Sequence, residues 1–408
     1  MSFQNVRRTL FTVHMWIGLI LGVLLAALGL SGSLLVYDDK IADLFNPPPH
    51  ATTAGDPLPL SMIADIAGRA ADAAGAHGQM QIVLPQEPGQ AISVRMGGLS
   101  VMGPRPEAAN QTDRVGREGG ARREGGERRR REGGARGGEG PRGNQLQIFI
   151  DPVSGEVLGT RKALQPPILT FAHQLHGNFL LGREGRGIVG WLGVAMCLLG
   201  LTGLVLWWPR RGQWKYAFLV RRTATGLRFQ RELHAATGIW IFVVFMIVSF
   251  SGVVIAWPQT MGMTGSDPRA QPGVEPQDGR IIGATEAVAA AQQALPGAVL
   301  RSITIPARPG QAVSVAFLAH GAINASVFLN PYTGQLLSVR DPSQSFMAWQ
   351  RPLHQGSGLG AVWKFLVFLS GLVPSLFVVT GLIMWAKKRK RRVPMTMLTE
   401  DISAEDAA

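Results

Sequence analysis

The chain has 408 residues, is 46% hydrophobic and 16% charged, and carries a formal net charge of +13. Its one cysteine, Cys197, excludes a disulfide framework, a C-x-x-C pair and the C-x-x-C-H signature of covalently attached haem. The positive charge sits in short flanks of apolar runs and in one low-complexity tract, so no nucleic-acid partner is expected.

In chain order, residues 10–37 are the first of four long apolar runs. About 20 residues cross roughly 30 Å of hydrocarbon, so this run predicts transmembrane helix 1. Arg7-Arg8 before it resembles a weak twin-arginine signal. The run is longer than a signal's apolar region, however, and no A-x-A site follows Ser31-Gly32-Ser33, so a retained anchor is expected. Residues 55–165 predict an extracytoplasmic α+β domain, with a helix over Pro59–Ala74 and strands near Met80–Leu84, Ala91–Met96, Leu146–Ile150 and Glu156–Gly159. Within it, 103–144 is rich in Gly, Arg and Glu and almost devoid of apolar residues, which predicts a disordered insert. An RGG-like RNA role is set aside because this loop is placed outside the cytoplasm.

Transmembrane helix 2 is expected over 187–208, a cytoplasmic loop over 209–232, helix 3 over 233–257 and helix 4 over 361–386, with a tail over 387–408. Between helices 3 and 4, residues 280–342 predict a second α+β domain: an Ala-rich helix over Ala284–Leu295, then strands at Leu300–Ile305, Ala312–Phe317, Ala325–Asn330 and Gln335–Val339. Lys and Arg crowd the N-terminal flank, the 209–232 loop and Lys387–Arg392. By the positive-inside rule both termini are cytoplasmic and the two long loops face outward.

The halves match at fixed spacings. His14-x-x-x-Gly18 and Ser31-Gly32 in run one correspond to His234-x-x-x-Gly238 and Ser251-Gly252 in run three. Leu175-His176 and Thr202-Gly203-Leu204 correspond to Leu353-His354 and Thr380-Gly381-Leu382, which places His176 and His354 at the outward ends of helices 2 and 4. The turn Asp151-Pro152-Val153-Ser154-Gly155 matches Asn330-Pro331-Tyr332-Thr333-Gly334. The expected fold is therefore an α-helical membrane protein, with four transmembrane helices from a duplicated unit and two α+β extracytoplasmic domains.

These motifs resemble the PepSY-associated transmembrane family over about residues 8–390, the insert excepted. The resemblance implies PepSY-like extracytoplasmic domains, a bacterial inner-membrane location and a redox role in iron uptake, since members include di-haem ferric-siderophore reductases.

An ionisable side chain inside a membrane helix points to function. His14 with His234, and His176 with His354, are expected to grip two non-covalent b-type haems near opposite membrane faces. Gly18 and Gly238, one turn beyond the inner histidines, leave room for the flat macrocycle. His173 competes with His176 as outer ligand, although its counterpart is Arg351. Arg228 and Arg231 inside, and Arg183, Arg186 and Arg351 outside, are candidates for haem propionates or an anionic substrate. His50, His77 and His320 are expected to be surface residues. Trp207, Trp208, Trp257 and Trp385 suit an aromatic belt, and Gly22, Gly29 and Gly200 suit close helix packing.

The expected activity is electron transfer outward to a ferric siderophore or another periplasmic acceptor. No nicotinamide- or flavin-type G-x-G-x-x-G follows a strand, so a cytoplasmic reductase or a quinone is the expected donor. Two other functions compete: a peptide-binding, protease-regulating membrane module, and a siderophore or metal transporter. The first predicts no haem, and the second is weakened because both copies run parallel and no broken helix is evident.

Overall fold

A computed structural model describes residues 3–97, 145–209, 212–257, 271–277, 279–319, 323–341 and 346–390. The 103–144 insert, His320 and the end of the C-terminal tail lie outside the described residues. Four helices are long and apolar enough to cross a membrane: α1 (Phe3–Val36), α5 (Gly182–Trp207), α7 (Gly226–Ala256) and α10 (Gly360–Lys390). Large apolar side chains on their outer faces, such as Ile20 (68% exposed) and Trp240 (72%), have no protein to cover them and suit lipid. The chain is a multi-pass membrane protein. Both α1 and α7 begin well before their apolar windows, because backbone hydrogen bonding continues where the chain leaves the hydrocarbon. His14 thus sits about three turns into α1.

The remaining elements are α2 (Asp38–Phe45), α3 (Leu60–Ala73), β1 (Met80–Val83), β2 (Ile92–Met96), β3 (Leu146–Ile150), β4 (Val157–Lys162), α4 (Pro167–Asn178), α6 (Trp214–Ala217), α8 (Ala284–Ala294), β5 (Val299–Ile305), β6 (Val313–Ala319), β7 (Ile323–Leu329), β8 (Leu336–Arg340) and α9 (Phe346–Gln355). Apart from α2, the order of a membrane helix, a soluble helix, four strands, a short helix and a membrane helix occurs twice.

The strands of the two expected α+β domains lie in one antiparallel sheet, in the order β4-β3-β2-β1-β5-β6-β7-β8. The join is β1 on β5, with Ile82 opposite Ile303 and Val83 opposite Ser302. Unjoined, each of these strands would expose a row of unpaired N–H and C=O groups. Pairing them satisfies both, and α3 and α8 then share one core with Ile82, Val94, Val313 and Phe317.

The two D/N-P-x-[ST]-G turns close the β3–β4 and β7–β8 hairpins in the same way. Asp151 Oδ1 accepts from Val153 N and Ser154 N (2.9 and 3.0 Å), and Asn330 Oδ1 accepts from Tyr332 N and Thr333 N (2.9 and 3.2 Å). Gly155 and Gly334 follow at φ 73° and 71°, a region that disfavours any side chain. Asp151 Oδ2 also receives Thr52 N and Thr53 N, both at 3.3 Å. These donors hold the Asp151 carboxyl well below the usual carboxylate range. Its folded-state value is depressed, so the stability it contributes is present above the ordinary carboxylate range and is lost as pH falls toward the folded value. Asp151→Ala is expected to lower the melting temperature at pH 7. Asp151→Asn, which copies the residue at 330, should keep the turn and flatten the acid limb of a melting-temperature profile.

The repeat spacing predicts His176 and His354 at the outward ends of membrane helices 2 and 4. Instead each sits on its own short helix, α4 or α9, folded back from the membrane helix that follows. The break after α4 comes at Phe179 and Leu180, at φ 52° and 64°, and then Gly182 at 61°. A left-handed non-glycine residue costs about 1–2 kcal/mol. The break is fixed by Leu180 N donating to Asn178 Oδ1 (3.1 Å) and Gln174 O (3.1 Å). After α9, Gly356 and Gly360 make the turn at φ 82° and 78°.

Candidate functional site

Four histidines meet in two pairs along the axis between the membrane helices. His14 on α1 and His234 on α7 face each other with ring centres 6.3 Å apart and planes at 72°. His14 Nδ1 lies 2.9 Å from Thr202 Oγ1 on α5, and His234 Nδ1 lies 2.7 Å from Thr380 Oγ1 on α10. Each hydroxyl proton is already committed down its own helix, Thr202 to Leu198 O (2.7 Å) and Thr380 to Leu376 O (2.8 Å). The threonine oxygens therefore accept, and the rings donate from Nδ1. A neutral imidazole has one N–H, so both Nε2 atoms present lone pairs.

On the sheet side, His176 and His354 face each other with ring centres 5.7 Å apart and Nε2 atoms at 3.4 Å. His176 Nδ1 donates to Leu28 O of α1 and His354 Nδ1 donates to Val248 O of α7, both at 2.9 Å. A carbonyl only accepts, so the protons again sit on Nδ1 and two Nε2 lone pairs point at each other. That contact repels, and burial opposes relieving it by protonation.

Both carbonyls belong to the turn that precedes a Ser-Gly pair. Ser31 Oγ donates to Leu28 O (3.0 Å) and Ser251 Oγ donates to Val248 O (3.0 Å). The glycines make room for the rings: a methyl group on Gly32 would lie 2.6 Å from His176 Cε1, and one on Gly252 would lie 3.0 Å from His354 Cε1. Leu28 and Val248 each lie fourteen residues beyond the paired histidine of their helix. At 1.5 Å per residue the two pairs are about 21 Å apart along the bundle. Leu25, Leu192, Met196 and Phe245 pack as an apolar plug between them.

Around the inner pair opens a cavity of about 1620 Å³. Gly18, Gly203, Gly238 and Gly381 line it, and a methyl on Gly18 would meet no protein atom within 4 Å. Its rim carries Arg7, Arg8, Arg228, Arg231 and Lys388. Arg7 donates to Leu206 O (2.7 Å), and Arg228 donates to Glu232 Oε1 (3.0 Å). Arg221 also binds the buried Glu232 carboxylate, which ties the α5–α7 loop to the rim two residues before His234.

His173 is turned away from the outer pair. Its Nδ1 donates to Leu169 O (2.9 Å) and its Nε2 faces Asp38 Oδ2 at 3.9 Å, so it links α4 to α2. Arg186 and Arg351 are exposed on α5 and α9. Arg183 lies in the first turn of α5, and its side chain lies outside the described residues. His50 bridges to Gln90, and His77 lies 3.3 Å from Asp72. Close helix packing occurs at Gly29, which abuts the Gly371 carbonyl, and at Gly22, whose added methyl would lie 2.9 Å from Val378 Cγ2. Among the described residues, no three His, Cys, Asp or Glu side chains gather as a metal cage.

Thr202, Thr380, Gly32 and Gly252, which mark the repeat in the sequence, are what the histidines rest on in the fold. The available signal was a polar side chain at the same place in two apolar helices, which needs a partner in lipid.

One protein-family model, described as a PepSY-associated TM region, matches residues 11–388. No curated protein matches the chain.

Proposed function

The chain belongs to the PepSY-associated TM family, and from that premise we propose that it is a di-haem oxidoreductase of the bacterial inner membrane, passing electrons outward to a ferric siderophore in iron acquisition. The observation that carries this reading is the pairing of imidazoles at two depths, each ring held at Nδ1, with ring centres 6.3 Å apart in the inner pair and Nε2 atoms 3.4 Å apart in the outer pair.

The residues fit the group. With metal–imidazole bonds of about 2.0 Å and ring centres roughly 1 Å behind each nitrogen, two imidazoles on one metal have centres about 6 Å apart. The inner pair is at 6.3 Å. Across the outer pair the nitrogens stand at 3.4 Å, against about 4 Å with a metal between them. Gly18, Gly203, Gly238 and Gly381 are among the residues lining the cavity beside the inner pair, and Arg8, Arg231 and Lys388 at its rim suit propionate carboxylates. Two b-type haems bound there would supply one-electron chemistry at the two depths, with no bond to cysteine. The protein's own part is to hold four neutral imidazoles rigid, exclude water through the Leu25–Phe245 plug and present cations to the anionic edge.

We further read the chain as a duplicated unit whose two PepSY-like halves fuse at β1–β5. In support, each half wires its own histidines in the same pattern: His14 to Thr202 and His176 to Leu28 in one, His234 to Thr380 and His354 to Val248 in the other. The positive flanks support a cytoplasmic side for both termini and the inner pair, with the sheet in the periplasm. A cytoplasmic reductase or a quinone supplies the electron. Siderophore oxygens are hard donors that hold Fe(II) less well than Fe(III), so reduction releases the metal.

Proteoliposomes test this with reductant sealed inside and a ferric hydroxamate outside, read by a membrane-impermeant Fe(II) chelator. Fe(II) should accumulate outside only in vesicles holding the protein, and at background rate with His14→Ala. Equal rates with and without the protein would overturn the reading.

A further inference from the structure

The two histidine pairs are held by chemically different acceptors. The outer rings donate to main-chain carbonyls, Leu28 O and Val248 O, which no substitution removes. The inner rings donate to side-chain hydroxyls on the neighbouring membrane helix, Thr202 at 2.9 Å and Thr380 at 2.7 Å. A threonine in a membrane helix needs only its own i−4 carbonyl to be satisfied. Both threonines make that bond and are, in addition, aimed at an imidazole from the same position in α5 and in α10.

We propose that Thr202 and Thr380 are positioning residues that fix the tautomer of His14 and His234 and set the reduction potential and retention of the haem between them. This rests on the haem reading above. With its hydroxyl proton spent on Leu198 O or Leu376 O, each threonine can only accept, so the ring proton is pinned to Nδ1 and Nε2 is left free to ligate. An acceptor at Nδ1–H also makes the ring a stronger donor, which favours the oxidised iron and lowers the potential. Without the hydroxyl the Nδ1 proton of His234 loses its partner and the His14 ring is left with the Leu199 carbonyl alone, so the Nε2–H tautomer, which cannot ligate, competes.

The test is the Thr202→Val/Thr380→Val double variant, with Thr202→Ser/Thr380→Ser as its conservative partner, in the full-length protein. Potentiometric titration followed by visible spectra should show one midpoint moved upward and the other, about 21 Å away, unmoved. Haem retention at the moved site should weaken about 10–100-fold against a haem scavenger, the usual effect of losing such a partner. The serine variant should restore both. Two unmoved midpoints in the valine variant would overturn the proposal while leaving the haem reading intact. A protein that purifies without haem fails the haem reading instead. In that case nitrogen NMR of labelled histidines decides: Nδ1-protonated rings that change in the valine variant sustain the role of the threonines, and Nε2-protonated rings in the parent refute it.

Discussion

Replacing His354 with alanine is expected to cut the haem content of the purified protein from about two per chain to about one, with the surviving haem still low-spin. His354 meets His176 through Nε2 at 3.4 Å and has its other nitrogen on Val248 O. Removing it leaves one imidazole without a facing partner on the sheet side, and the inner pair is untouched. His176→Ala should give the same result. His173→Ala should not: its Nε2 faces Asp38, and its loss disturbs the α4–α2 contact without reaching the pair. Haem assay together with the reduced spectrum reads all three variants. Loss of haem in His173→Ala with retention in His176→Ala would exchange their roles.

Gly32→Ala is expected to empty the same site although every histidine remains. The added methyl would lie 2.6 Å from His176 Cε1, closer than any real contact, and the ring is pinned from behind by Leu28 O. The imidazole must move, and haem affinity at the outer site should fall by about 10-fold or more, as for the loss of an orienting partner. Gly203→Ala, whose methyl would stand 3.4 Å from His14 Cε1, should cost far less at the inner site. Haem content and scavenger-transfer rate measure both. An outer haem unaffected by Gly32→Ala would mean that the ring does not lie against α1.

The four membrane helices were legible because each run exceeds the hydrocarbon thickness, and the antiparallel strands because apolar residues alternate along them. The fixed His-to-Gly spacings also led to the side chains that the fold brings together. Three features were not legible. The break after α4 falls on Phe179 and Leu180, which carry none of the local chemistry that announces a left-handed turn. The β1–β5 pairing joins strands far apart in sequence, and nothing local distinguishes an edge that stays open from one that closes. Thr202 and Thr380 read as small polar residues in apolar helices, because a bond to a histidine on another helix leaves no mark in the spacing of either one.

The most direct measurement is the visible spectrum of the purified protein, from haem-replete cells, before and after dithionite. Two non-covalent haems each held by two imidazoles predict a sharp low-spin b-type reduced spectrum, with about two haems per chain and stepwise loss in His14→Ala and His354→Ala. A colourless protein, or a spectrum unchanged when both of those histidines are replaced, would contradict the account.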